Sequence, residues 1–248
     1  RGRGCRKKRG RRSMPCGKDC ALLKAHRPAV KGILRRPGDN DRKMTTESYR
    51  HERPGNPESI CFFALNAQPG AAEGLLSLAR FCASGIVFMM PAIALGLWFL
   101  GGREGHRQAL FMTLAVMISL GLGMVCGTLW FHPRPFMIPL GHTWISHPAD
   151  NSFPSDHATV MFSAAFALLS LRLRAPGLLM LLAALPVAWS RIYLGVHFPL
   201  DMVGAALVSI GGVIVAKRVW QAVGPRLVLL CEAVSRRMFS WLPARFTP

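Results

Sequence analysis

Acidic residues are scarce in this chain: 12 Asp and Glu stand against 31 Lys and Arg in 248 residues, and only 17% of all residues are charged. No carboxylates cluster in the sequence, which leaves no pattern suited to Mg²⁺. Seven cysteines occur, Cys5, Cys16, Cys20, Cys61, Cys82, Cys126 and Cys231. The first three lack a fourth ligand at a zinc spacing, and the set forms no disulfide framework. The cysteines within apolar segments read as small buried hydrophobes. A basic run opens the sequence, but no apolar core follows it closely, so no signal peptide is read.

What the chain does contain is apolar length. Hydrophobic residues make up 51% and the mean hydropathy is +0.28, a combination that points to a small polytopic membrane protein. The net charge of +19 is uneven: residues 1–43 hold 16 Lys/Arg and 3 Asp/Glu, a net +13, and leave +6 for the remainder. This leader has no apolar periodicity and reads as disordered, with nucleic acid or anionic lipid as conceivable contacts. It reads equally as sequence foreign to the protein, with Met44 as an alternative start. The organisation expected is a basic leader over 1–57, a membrane-embedded domain over 58–220 and a basic, surface-lying tail over 221–248.

Five apolar runs approach the 20 or so helical residues that cross a bilayer: 81–100, 108–131, 154–171, 177–194 and 198–216. The stretch 58–79 carries Asn66, Gln68, Pro69 and Glu73 and reads as an interfacial helix, with a sixth span as the alternative. Residues 217–240 are basic, partly apolar and interrupted by Gly224-Pro225, so they too are expected on the surface. The fold class is therefore an all-α bundle of five or six membrane helices. Arg103, Arg107, Arg172, Arg174, Lys217, Arg218, Arg226, Arg236 and Arg237 fall on one side of a five-span bundle, which positive-inside bias makes cytoplasmic. The 132–153 loop and the 190–200 turn then share the outer side.

Three polar blocks meet there: HPRPF with Arg134, NSFPSDHAT over 151–159, and SRIYLGVHFPLD over 190–201. Pro154 suits a first helical turn, which would leave the amides of Ser155, Asp156 and His157 at a helix N-terminus, a ready anion site. Pro199 likewise reads as the first turn of the last span, from which Asp201 can reach back to His197 and orient its ring. Arg134 and Arg191 supply permanently charged, forked donors suited to phosphate oxygens. His132, His142 and His147 read as solvated loop residues, with His147 and Asp150 a minor candidate pair for closing the site. Met89, Met90, Phe162 and Phe166 read as packing or lipid contacts.

These blocks resemble the type 2 phosphatidic acid phosphatase superfamily, whose signature is K-x6-R-P, P-S-G-H and S-R-x5-H-x3-D. Ser190, Arg191, His197 and Asp201 match the third block in full, P-S-D-H stands for the second, and P-R-P-F stands for the first. Gly127 occupies the lysine position and completes Gly123-x3-Gly127, a close-packing pattern between membrane helices. P-S-D-H with P-R-P-F looks like the bacterial undecaprenyl-diphosphatase, bacitracin-resistance branch. The resemblance implies His197 as nucleophile oriented by Asp201, and His157 as general acid and then base. It implies Arg134, Ser155, Arg191 and the neighbouring Asp156 at the phosphate. No metal or other cofactor is implied. The expected partners are a polyprenyl diphosphate substrate and membrane lipids, with no specific nucleic acid, and the expected place is the bacterial cytoplasmic membrane with the site facing outward. A broader lipid phosphatase, acting on phosphatidylglycerol phosphate or diacylglycerol pyrophosphate, and a lipid-to-lipid phosphotransferase use the same residues.

Overall fold

A computed structural model describes residues 56–138 and 140–238. The leader expected over 1–57 lies outside the described residues except for its last two. Helix α1 (Pro57–Leu65) starts with proline at its first turn, where the missing N–H costs nothing. Helices α2 (Glu73–Ser84) and α3 (Met89–Leu100) form one apolar run joined by a 3-10 turn at Ile86–Phe88. Pro91 explains the join, because it cannot donate to Val87 and its ring crowds that carbonyl. Then follow α4 (Gly102–Leu129), α5 (Asp156–Ser170), α6 (Arg174–Tyr193) and α7 (Pro199–Met238).

Four runs are long and apolar enough to cross a membrane among the described residues: 73–100, 102–129, 174–193 and 199–237. The first therefore begins at residue 73 rather than 81, because Glu73 pairs with Arg80 at 2.8 Å on an exposed face and so sits comfortably at the helix start. The remaining apolar run is α5. At fifteen residues, about 22 Å, it falls short of a full crossing. It packs against α4, α6 and α7 instead. Ala158, Ala164, Ala165 and Ala167 are fully buried along it, and such small side chains let the neighbouring backbones approach closely. Met112, Met161, Leu168, Met180 and Val187 fill the space between the four helices. Outward faces carry exposed Leu95, Met117, Leu182, Leu207 and Ile214, the apolar surface that lipid covers.

The expected break at Gly224-Pro225 does not occur. Helix α7 runs unbroken for 40 residues, about 60 Å, twice the hydrocarbon thickness. Tertiary anchors override the local breakers: Trp220 meets Phe111 edge-on at 5.7 Å, and buried Glu232 lies 3.2 Å from His106, whose ring stacks on Trp98. Residues 221–238 thus continue the bundle helix rather than forming a separate tail. The cysteines also differ from expectation: of the four described, only Cys82 is buried.

The 58–79 stretch is not a separate span: residues 73–79 open the first one, and Pro57–Leu65 is the short helix α1. Helix α1 packs at the end of the bundle where α6 stops and α7 starts. Asn66, read above only as unfit for a span, ties that end together. Its amide donates to the carbonyls of His142 (2.9 Å) and Tyr193 (3.2 Å), and its oxygen accepts from the His142 N–H (2.8 Å). Ala67 N–H and Trp144 Nε1–H add bonds across the same seam. Replacing Asn66 with Ala removes three bonds across this seam and leaves the part-buried His142 N–H without its acceptor, which should lower stability by about 1–2 kcal/mol. A thermal melt in detergent that matches wild type would refute this.

Candidate active site

The C-terminal ends of α4 and α6 and the N-terminal ends of α5 and α7 come together at this same end of the bundle, with the 130–155 and 194–198 loops laid across them. Gly195 makes the α6–α7 turn possible. Its φ is +77°, and a Cβ there would come within 2.1 Å of the His142 carbonyl oxygen, so only glycine fits. The turn delivers His197 into the interior and starts α7 with Pro199 in its first turn, as expected.

Asp201 is fully buried in the first turn of α7. Its Oδ2 accepts the Phe198 N–H at 2.8 Å, a helix-start bond, and also the His197 Nδ1–H at 3.1 Å and the Ser152 hydroxyl. Its Oδ1 accepts the His132 Nδ1–H at 3.0 Å. On the opposite side of the His197 ring, Arg134 Nη1 lies 3.0 Å from Nε2. A guanidinium can only donate, so Nε2 must accept and Nδ1 must carry the proton toward Asp201. Burial pushes the His197 pKa down to about 4 despite the upward pull of Asp201. The ring is therefore neutral near pH 7, with its lone pair on the nitrogen that faces away from the carboxylate.

Arg134 is buried and pinned. Its Nε–H donates to Asp150 (2.7 Å), and its Nη groups donate to the carbonyls of Val196 (3.0 Å) and Asn151 (3.1 Å). Arg191, in the last turn of α6, is also buried, yet its Nε and Nη2 have no hydrogen-bond partner, and neither does the buried Ser155 hydroxyl. Helix α5 begins at Asp156 with Ser155 as its N-cap, so Pro154 precedes the helix instead of opening it. The Ser155 N–H bonds the Asp201 carbonyl at 3.4 Å, so the amides left to head the helix begin at Asp156 and His157.

His157 is half-buried and feels the charges of Arg191, His147 and Arg134. With Asp156 it forms the polar part of a cavity of about 330 Å³ whose other walls are Val87, Leu120, Met124 and Val160. Asp156 itself is exposed at the first helical position, where a carboxylate is favoured.

Sequence reasoning missed three contributors, His132, Ser152 and Asn151. His132 is buried on Asp201 instead of being solvated in a loop, and Ser152 bonds the same carboxylate. The candidate pair Asp150 and His147 both reach the site: Asp150 pairs with Arg134, and His147 faces the His197 ring edge-on at 6.2 Å. Burial and Arg134 hold the His147 pKa down. Asn151 organises the loop: its amide donates to the carbonyls of Gly127 (3.0 Å) and Phe153 (2.9 Å), and its oxygen accepts the His132 N–H (2.7 Å). All three missed groups stand in the irregular 130–155 segment, where no periodicity marks an inward face.

The PAP2 superfamily model matches residues 108–225. YbjG of Escherichia coli (strain K12) is 38% identical over 184 residues, 74% of this chain and 92% of that protein. The chain belongs to the PAP2 superfamily. It is also similar to the undecaprenyl-diphosphatase BcrC of Bacillus subtilis (strain 168), 34% identical over 118 residues, or 48% of this chain and 61% of BcrC. The crystal structure of Aquifex aeolicus LpxE shares the fold, with a TM-score of 0.51 at 23% identity over 64% of this chain and 93% of that one. The protein is accordingly a membrane-embedded lipid phosphatase of this superfamily.

Gly127, at the superfamily's lysine position, and Gly123 do not pack against another helix. They make room for the 151–154 loop: a Cβ on Gly127 would lie 2.6 Å from Asn151 Nδ2, and one on Gly123 would lie 3.2 Å from Pro154 Cγ. Asn151 is too firmly bonded to yield without moving Arg134 and His132. Gly127→Lys, though it restores the signature, should therefore lower kcat about tenfold or more. Gly127→Ala should act in the same direction. Phosphate release at the wild-type rate from folded Gly127→Lys would refute this account.

Proposed function

We propose that the protein hydrolyses undecaprenyl pyrophosphate to undecaprenyl phosphate and inorganic phosphate through a phosphohistidine on His197. The observation that carries the reading is the set of buried, unpartnered donors, Arg191 Nε and Nη2 and the Ser155 hydroxyl, in a site whose neutral histidine is oriented for attack. Unpaired buried donors are costly, and a phosphate group satisfies all of them at once. Similarity to BcrC, whose name is undecaprenyl-diphosphatase, supports the choice of substrate. The largely apolar walls of the cavity at His157 support a lipid that keeps its chain in the membrane while its diphosphate reaches the helix ends.

In the first step Arg134 Nη1 gives up its bond to His197 Nε2, and the freed lone pair attacks the terminal phosphorus. The bond to the bridging oxygen breaks, and His157 protonates undecaprenyl phosphate as it leaves. Arg134, Arg191, Ser155 and the amides heading α5 stabilise the charge on the transferring phosphoryl group. In the second step His157 takes a proton from water, the water oxygen attacks the phosphohistidine, and the N–P bond breaks to release inorganic phosphate. Asp201 holds the ring throughout. Asp156 reads as a helix-end charge at the mouth, beside the phosphate rather than bonded to it.

Purified protein should release phosphate faster from undecaprenyl pyrophosphate than from phosphatidate, and His197→Ala should reduce release by at least about a thousandfold. A preference for phosphatidate would overturn the substrate, and near-normal release by folded His197→Ala would overturn the nucleophile.

We further propose that the site end faces outward from the bacterial cytoplasmic membrane. Arg103 and Arg107 in the first turns of α4, Arg172 before α6 and Arg174 at its start lie at the opposite end, which supports this orientation through positive-inside bias. Single cysteines at Ser146 and Glu104, in a background without native cysteines, should differ toward an impermeant thiol reagent on spheroplasts. Labelling is expected at Ser146 only, and labelling at Glu104 alone would invert the assignment.

A further inference from the structure

Asp201 serves two imidazoles, and only one of them belongs to the superfamily signature. His197 uses Oδ2 and His132 uses Oδ1, at 3.1 and 3.0 Å. The His132 ring is held firmly. It stacks on Trp130 (5.4 Å, 23°) and leans on Phe198 (5.1 Å). Its backbone is tied at both ends, its N–H to Asn151 Oδ1 at 2.7 Å and its carbonyl to the Ser152 N–H at 2.7 Å. On the far side, His132 Nε2 lies 4.0 Å from Glu58 Oε2 of α1. Alternating carboxylate and imidazole groups thus run Glu58, His132, Asp201, His197, from a helix outside the matched residues 108–225 to the reacting nitrogen.

We propose that His132 is a positioning residue for the nucleophile. A carboxylate can rotate about its Cβ–Cγ bond, and the three other donors all bind the single oxygen Oδ2. The His132 bond on Oδ1 fixes the plane of the group, so that Oδ2 stays aimed at His197 Nδ1 and Nε2 stays aimed at the phosphorus. His132 also helps to compensate a carboxylate that has no access to water, at a site where each lost hydrogen bond is expensive. It touches neither substrate nor reacting atoms and acts through Asp201.

The proposal rests on His197 as nucleophile, but not on which lipid is cleaved. The test measures kcat and KM for wild type, His132→Phe, His132→Asn and His132→Gln with undecaprenyl pyrophosphate and with phosphatidate, each variant first checked for a native melt in detergent. An asparagine amide can take the place of Nδ1 and donate to Asp201, whereas a glutamine amide reaches the Nε2 position toward Glu58. His132→Phe should lose about ten- to a hundredfold in kcat with KM within about twofold, on whichever lipid the wild type turns over. His132→Asn should recover most of that loss and His132→Gln should not. Should the Phe variant fail to fold, the Asn and Gln pair decides alone. Equal kcat for Asn and Gln, an unchanged kcat for a folded Phe variant, or a loss confined to KM would overturn the proposal. A wild type that prefers phosphatidate would change the substrate assignment and leave the His132 comparison intact.

Discussion

The site depends on one buried charge. A carboxylate sealed from water is tolerable only if its lone pairs are filled, and Asp201 fills them from four directions: His132, His197, Ser152 and the Phe198 amide. Those partners come from the 130–155 loop and the α6–α7 turn, while Asp201 itself stands in the first turn of α7. Satisfying one carboxylate therefore locks three segments together and sets the tautomer of His197. The Asn66 bonds do the same for α1, tying it to the chain at His142 and Tyr193.

The bundle provides the surroundings in which this polarity is useful. Exposed leucines, methionines and isoleucines face outward, while alanines on α5 allow the helices to close around it. Because α5 is short and enclosed, its N-terminus opens among the ends of α4, α6 and α7. Charges placed there act in a medium of low dielectric, where donors aimed at a phosphoryl group are worth more than in water. At the opposite end a second buried polar contact, His106 with Glu232 beneath Trp98, fastens the long α7 to α4. The bundle is thus tied by buried polar contacts at both ends and by apolar packing between them.

The residues of the signature were legible because their spacing is a consequence of helix geometry. His197 and Asp201 are four apart across the start of α7, and Pro199 between them announces that start. The apolar runs likewise determined an all-α membrane bundle, since a bilayer accepts little else at that length. Local sequence was misleading where packing decided. Gly224-Pro225 reads as a break, but Trp220 and Glu232 hold the helix through it. Gly123 and Gly127 read as a helix seam, but the space they leave is filled by a loop. His132, Ser152, Asn151 and Asp150 carry no periodic signal at all. Their roles arise from contacts between residues 16 to 69 apart in the chain, and such contacts exist only once the helices have set the loops across the end of the bundle. By itself the sequence determined which groups could do phosphate chemistry. The tertiary structure decided which other groups hold them, because orienting a buried charge is a matter of partners brought together in space.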